Sequence, residues 1–216
     1  METRNITITL EKAREWYNSD NESLKELALQ AFDEKELKYD FRNITTFKDA
    51  CEALGCNYDV TTIFVRNIAE YSKASAAMFK LNIIRMALNL GYDLHLTENP
   101  EKSIIYYPYI PFFTENSKSL RLNIERGKME VIGKIKSEGN LYKVMGGHAD
   151  YCGNTGIGHF SSEFNMGSGL TSIGFLGCAT KEIARHFGKY FGMLITEAKY
   201  ADMVDFEIIE DKYSIK

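Results

Sequence analysis

Residues 103–113 read SIIYYPYIPFF, and the character of the chain changes here, just after Asn99-Pro100. The segment is β-branched and aromatic, the composition of a strand. Pro108 and Pro111 cannot donate to a sheet ladder, so this strand is expected to lie at an edge or to be interrupted. Upstream, apolar residues recur at helical spacing; downstream, they alternate in short runs. Helices first and strands later is the order of an α+β fold, not of a doubly wound chain. The expected organisation is a helical N-terminal region over residues 1–96. An α+β region follows over 97–216, with a small, mainly antiparallel sheet packed on a long C-terminal helix.

Upstream, Thr9 can cap a helix that carries Leu10, Ala13 and Trp16 on one face. Ser19 with Glu22 fits a capping box for a second helix, and Thr46 with Asp49 for a third that Gly55 would stop. From Thr61 to Leu90 the chain is helix-prone, and thirty residues is long for one globular helix. A break near Ser72–Ser75 gives two helices, with Gly91 as the stop. Ala77, Met78, Leu81, Ile84 and Leu88 make an apolar stripe, read as core. His95 falls in a connection.

Downstream, Leu120–Glu125 alternates apolar and polar residues and Met129–Ile135 does so less strictly. With Arg126-Gly127-Lys128 between them, they read as a β-hairpin. Leu141–Met145, Thr155–Phe164, Leu170–Phe175 and Val204–Ile209 supply further short strand candidates. Thr180 caps the last helix, with Glu182 in its first turn. Ile183, Phe187, Tyr190, Phe191, Leu194 and Ala198 share one face. Lys181, Arg185, His186 and Lys189 form a small basic cluster, with His186 read as a surface side chain. Gly188 and Gly192 are four apart, a spacing that signals close backbone approach to a neighbour. Tyr106, Tyr107, Tyr109, Phe112 and Phe113 are read as core ahead of a base-stacking surface.

The formal net charge of −4 and pI near 5.7 argue against coating nucleic acid, which needs a basic field. Four cysteines without a Cys-x-x-Cys motif do not make a disulfide scaffold or a closed zinc site. The first residues, METRNITITLEKAREWYNS, lack an apolar signal core, and no run of about 18 apolar residues exists. A cytoplasmic location follows as the expectation, with no membrane association.

From Gly146 to Gly177, nine of thirty-two residues are glycine. Backbone of this kind bends where other residues do not, and such loops carry binding or catalysis. The candidate ligand-binding residues are Gly146, Gly147, His148, Asp150, Gly156, Gly158 and His159, with Thr180 and Arg185 at the last helix. Backbone N–H groups at that helix start, with Arg185 nearby, suit an anionic ligand. His148, Asp150 and Cys152 are weak catalytic candidates: the histidine as base, the aspartate orienting it, the thiol as nucleophile. His148, Asp150 and His159 are metal-ligand types, but no spacing marks a site, and none is assigned. Gly156-Ile157-Gly158 is not a dinucleotide fingerprint, and a Walker-type phosphate loop is absent. No cofactor is expected.

Two blocks of the chain carry a resemblance. ITLEKAREWYNSDNESLKELALQAF resembles a leader module found on many proteins of gut Bacteroidales phages and prophages. YYPYIPFF, GGHADYCGNTGIGHF and TSIGFLGCATKEIARHFGKYFGMLITEAKYAD are similar to the C-terminal half of some of the same proteins. The loops ending in IGFLG also resemble ligand-display loops of phage receptor-binding domains. The resemblance implies a phage or prophage origin and a role in the infected bacterial cell or in the virion. It carries over no activity and no catalytic residues. The function expected is non-enzymatic binding, with the contact surface at 146–177. The partner would be a protein or a small anionic ligand, and a homo-oligomer is compatible. Two alternatives stand: an anti-defence protein that sequesters a nucleotide signal, and a hydrolase or transferase dependent on Cys152 and His148.

Overall fold

The computed structural model describes residues 7–90, 104–127, 129–153 and 176–213. The fold is α+β. Thr9 caps α1 (Leu10–Tyr17), its hydroxyl accepting from the Lys12 amide. Helix α2 (Glu22–Ala31) starts differently from the sequence expectation. Asn21, not Ser19, caps it, accepting from Leu24 N. Ser19 instead donates to the Trp16 carbonyl at 2.7 Å and closes α1. An Asn directly before the first helical residue competes well for the cap, which leaves Ser19 free for that turn. With α3 (Glu34–Leu37), these helices enclose a small core of Ala13, Ala28 and Leu37, separate from the main one.

Thr46 and Asp49 form the expected capping box at α4 (Phe47–Ala53). Gly55, at φ +69°, ends it. Helices α5 (Tyr58–Ala69) and α6 (Lys73–Leu88) flank the expected break. Ser72 caps α6, and Asp202, from the far end of the chain, also receives the Ser72 hydroxyl and the Ala74 amide at 3.2 Å. Gly91 and His95 lie outside the described residues.

SIIYYPYIPFF is interrupted, as its prolines require. Strand β1 (Ile104–Tyr109) stops before Ile110-Pro111, and β2 (Phe112–Thr114) resumes in another sheet. The expected hairpin over 120–135 is half wrong. Lys118–Glu125 is a helix, α7, capped by Ser117. Five of its eight residues KSLRLNIE are strong helix formers and one is β-branched, and these with a cap outweigh a short alternation. Strand β3 (Glu130–Ser137) pairs instead with β4 (Asn140–Gly146). Their connection is Glu138-Gly139, both at positive φ (49° and 77°), the two-residue turn that suits the twist of a hairpin.

Strand β5 (His148–Gly153) pairs antiparallel with β1. The start of the glycine-rich stretch is therefore strand, not loop: Gly147, at φ +86°, turns the chain from β4 into it. A partner forty residues upstream supplies that ladder, and no local pattern announces it. The last strand, β6 (Glu207–Asp211), completes a four-stranded antiparallel sheet in the order β2-β4-β3-β6. It forms slightly later than the 204–209 expectation. Its pairing with β3 slips between Lys134 and Ile135, so that Ile209 is an extra, bulged residue on an edge strand. The candidate strands at 155–164 and 170–175 lie outside the described residues.

Helix α8 (Lys181–Tyr200) packs on the sheet and on α6. Thr180 caps it as expected, accepting from Ile183 N at 3.2 Å. Ile183 and Phe187 are fully buried, and Phe191 and Ala198 nearly so. The paired glycines do mark close approach. A Cβ at Gly192 would lie 2.3 Å from Ile132 Cδ1, and one at Gly146 would lie 2.3 Å from the Gly188 carbonyl oxygen. Leu81, Ile84 and Leu88 of α6 join Ile110, Ile132, Val144 and the α8 face in one core. Helices ahead of position 96 and strands beyond it thus share their interior. Tyr107 and Phe112 are buried, in keeping with their reading as core.

Candidate functional site

Of the sequence candidates, Gly146, Gly147, His148, Asp150 and Cys152 fall at the end of β4 and along β5, and Thr180 and Arg185 at the start of α8. Gly146 is buried, and the space a side chain would need is filled by the Gly188 carbonyl, so its role is packing. Gly147 makes the turn into β5. Along β5, His148 stands opposite Tyr109, Asp150 opposite Tyr107, and Cys152 opposite Ile105. The three alternate positions share one register face. At about 3.4 Å per residue, positions 148 and 152 are separated by roughly 13–14 Å of strand. Gly156, Gly158 and His159 lie outside the described residues. Among the described residues, no group of three or more His, Cys, Asp or Glu is arranged to hold a metal ion.

On the other edge of β1, Cys178 bridges antiparallel to Tyr106, with backbone hydrogen bonds of 2.8 and 3.1 Å in the two directions. Its thiol is fully buried, and desolvation pushes its pKa far up, out of the reactive range. Asn89, buried at the end of α6, stitches this corner. Its amide nitrogen donates to the Arg85 and Gly177 carbonyls at 2.8 and 3.3 Å, and its oxygen accepts from Ala179 N at 2.8 Å. Nothing in the sequence singled out Asn89, because two of its three partners, Gly177 and Ala179, lie some ninety residues away. Thr180 is spent on its cap, and Arg185 is exposed one turn further along α8. The basic cluster does not act as one group: Lys189 pairs with Glu130 at 2.9 Å, and Lys212 holds the other Glu130 oxygen at 2.6 Å.

His186 is not the surface side chain its neighbours implied. Its Nε2 lies 2.7 Å from the Ile44 carbonyl oxygen, Phe41 meets it edge-on, and the Tyr190 ring is 4.5 Å away. The ring is half-buried, and desolvation lowers its pKa from the ordinary 6.5. The Ile44 carbonyl and Asp40 oppose that shift, and Lys189 and Arg42 add to it. A depressed folded-state pKa means that the folded chain resists the proton more than the unfolded chain does. The contribution of neutral His186 is fully present above about pH 6.5 and is lost as pH falls through the folded value. Urea midpoints should therefore drop on acidification, and the drop should be shallower in His186→Gln; equal slopes would show that the ring titrates freely.

A groove of about 500 Å³ lies elsewhere, lined by Arg14, Lys38, Tyr39, Asp40 and Arg42 among others. Its cations are already engaged. Arg14 donates to the Glu36 carbonyl at 2.9 Å, Lys38 pairs with Glu34 at 2.8 Å, and Arg42 with Asp40 at 3.2 Å. An anion there would have to displace them. Among the described residues no helix is long and apolar enough to cross a membrane. No protein-family model, curated protein or solved structure matches the chain.

Proposed function

We propose that this protein is a non-enzymatic binding protein of a phage or prophage, and that the glycine-rich stretch 146–177 supplies its contact surface. The observation that carries this reading is how the stretch is anchored. Strand β5 holds one edge of β1, ending with Gly153 opposite Ile104. Cys178 holds the other edge at Tyr106. Both anchors run antiparallel to β1, so they run parallel to each other. The chain between them joins two points about 15 Å apart, from strand spacing and rise. Twenty-two residues, 154–175, make that connection, with a reach of roughly 70 Å. A connection with this much surplus length can carry residues well clear of its anchors. Rigid anchors on a sheet backed by α8 are the usual support for a recognition segment.

The partner is a protein or a small anionic ligand. The setting is the cytoplasm of the infected cell or the virion. The test replaces residues 154–175 by a short Gly-Ser linker. Full-length and shortened proteins are melted with and without nucleoside triphosphates and cyclic dinucleotides, and searched for in purified virions through a tagged phage. Expected is unchanged folding of the shortened form, with loss either of a ligand-induced rise in melting temperature or of incorporation into virions. A nucleotide-dependent rise would select the anti-defence setting, and incorporation the virion setting. If the shortened protein keeps every property of the full chain, the contact surface is not there.

A further inference from the structure

We propose that Cys51 and Cys56 form a thiol–disulfide site, which a low-molecular-weight disulfide oxidises to an intramolecular bond across the C-terminal cap of α4. Helix α4 ends with Leu54 as its cap and Gly55 in the left-handed region at φ +69°. Cys56 N–H donates to the Cys51 carbonyl at 2.8 Å, and Gly55 N–H to the Glu52 carbonyl at 3.1 Å. These two bonds define the Schellman closure, in which the residues at the Cys51 and Cys56 positions are the pair whose side chains meet. A backbone hydrogen bond directly between the two residues puts their Cα atoms roughly 5–6 Å apart, within the span of a disulfide. The two thiols are free in the structure.

Their exposures divide the chemistry. Cys56 is exposed and Cys51 is fully buried. Burial, and after it the neighbouring Cys56, push the Cys51 thiol up, so Cys56 is the point of entry. The Cys56 thiolate attacks one sulfur of the small disulfide and breaks its S–S bond, which leaves a mixed disulfide on Cys56 and releases one small thiolate that takes up a proton. The Cys51 thiol then passes its proton to water. Its sulfur attacks the Cys56 Sγ and expels the second small thiol. Two protein thiols are oxidised and one small disulfide is reduced to two thiols. The bond would fix α4 to the start of α5, where Asn57 caps the helix by accepting from Val60 N at 3.0 Å.

The experiment uses the unmodified full chain and oxidised glutathione. Free thiols are alkylated after denaturation, and the protein is cut with trypsin. The peptide Asp49–Arg66 has no internal Lys or Arg and contains these two cysteines alone. It should appear unalkylated and lighter by two hydrogens, in at least about tenfold excess over its glutathione-bearing form, because a neighbouring thiol acts at high effective concentration. Dithiothreitol should reverse this. Cys51→Ser should instead retain glutathione on Cys56. A wild-type peptide that keeps glutathione on Cys56, or is alkylated at both positions, would overturn the site.

Discussion

Gly146→Ala should destabilise the fold by about 3 kcal/mol or prevent it from folding, at the upper end of what overpacking one methyl group costs. The new Cβ would stand 2.3 Å from the Gly188 carbonyl oxygen and 3.0 Å from Ile132 Cδ1. A side-chain methyl can rotate aside, but a carbonyl in the middle of α8 cannot. Relief would require the helix to move away from β4. That helix is tied at one end by Thr180 and through Asn89, and buries Ile183, Phe187, Phe191 and Ile195 along its length. Urea unfolding of the variant, set beside an exposed substitution such as Lys136→Ala on the adjacent strand, reads the effect directly. A midpoint within error of wild type would mean that α8 does not approach the sheet this closely.

The second large effect is Phe187→Ala, expected to cost about 3–5 kcal/mol. Phe187 is fully buried, the largest such side chain described, and meets the Phe191 ring edge-on at 5.9 Å. It lies next to Gly188, whose carbonyl oxygen fills the space a Cβ at Gly146 of β4 would need. Removing its ring leaves a cavity in the main core, beside a backbone contact that limits how far the helix can shift to fill it. Phe187→Leu keeps most of the volume and should cost less than about 1.5 kcal/mol. Against a typical stability of roughly 5–15 kcal/mol, either this Ala change or Gly146→Ala removes a large share. Similar midpoints for Phe187→Ala and Phe187→Leu would argue that the site relaxes freely.

Much of this architecture was legible in local sequence. Thr9, the Thr46–Asp49 box, Gly55, the break before α6 and the cap at Thr180 are all short-range signals, each decided by residues within four positions. The glycine pair in α8 was legible too, because helical geometry fixes which neighbours it exposes. What local reading missed depended on distant partners or on competing signals. Leu120–Glu125 alternates well enough for a strand, yet Ser117 and strong helix formers prevail. His186 sits among charged residues in sequence, but its carbonyl partner, Ile44, is 142 positions away. His148, Asp150 and Cys152 were legible as a cluster. The ladder with β1 that spreads them along a strand was not, because nothing near them specifies that pairing. Of the candidate site, the caps and turns could be placed, whereas the relation among its reactive groups needed tertiary structure.

The bulge at Ile209 has a bearing on how copies of this molecule can meet. A regular edge strand offers an even row of amides and carbonyls to which another chain can add, the opening step of sheet-to-sheet growth. Here the row is offset by one residue, and Glu207 and Glu210 flank the offset. Two such borders brought together would set carboxylates against carboxylates over mismatched donors. The opposite border, β2, is three residues long. Both borders of the four-stranded sheet are therefore poor templates for a further strand, one offset and flanked by carboxylates, the other short.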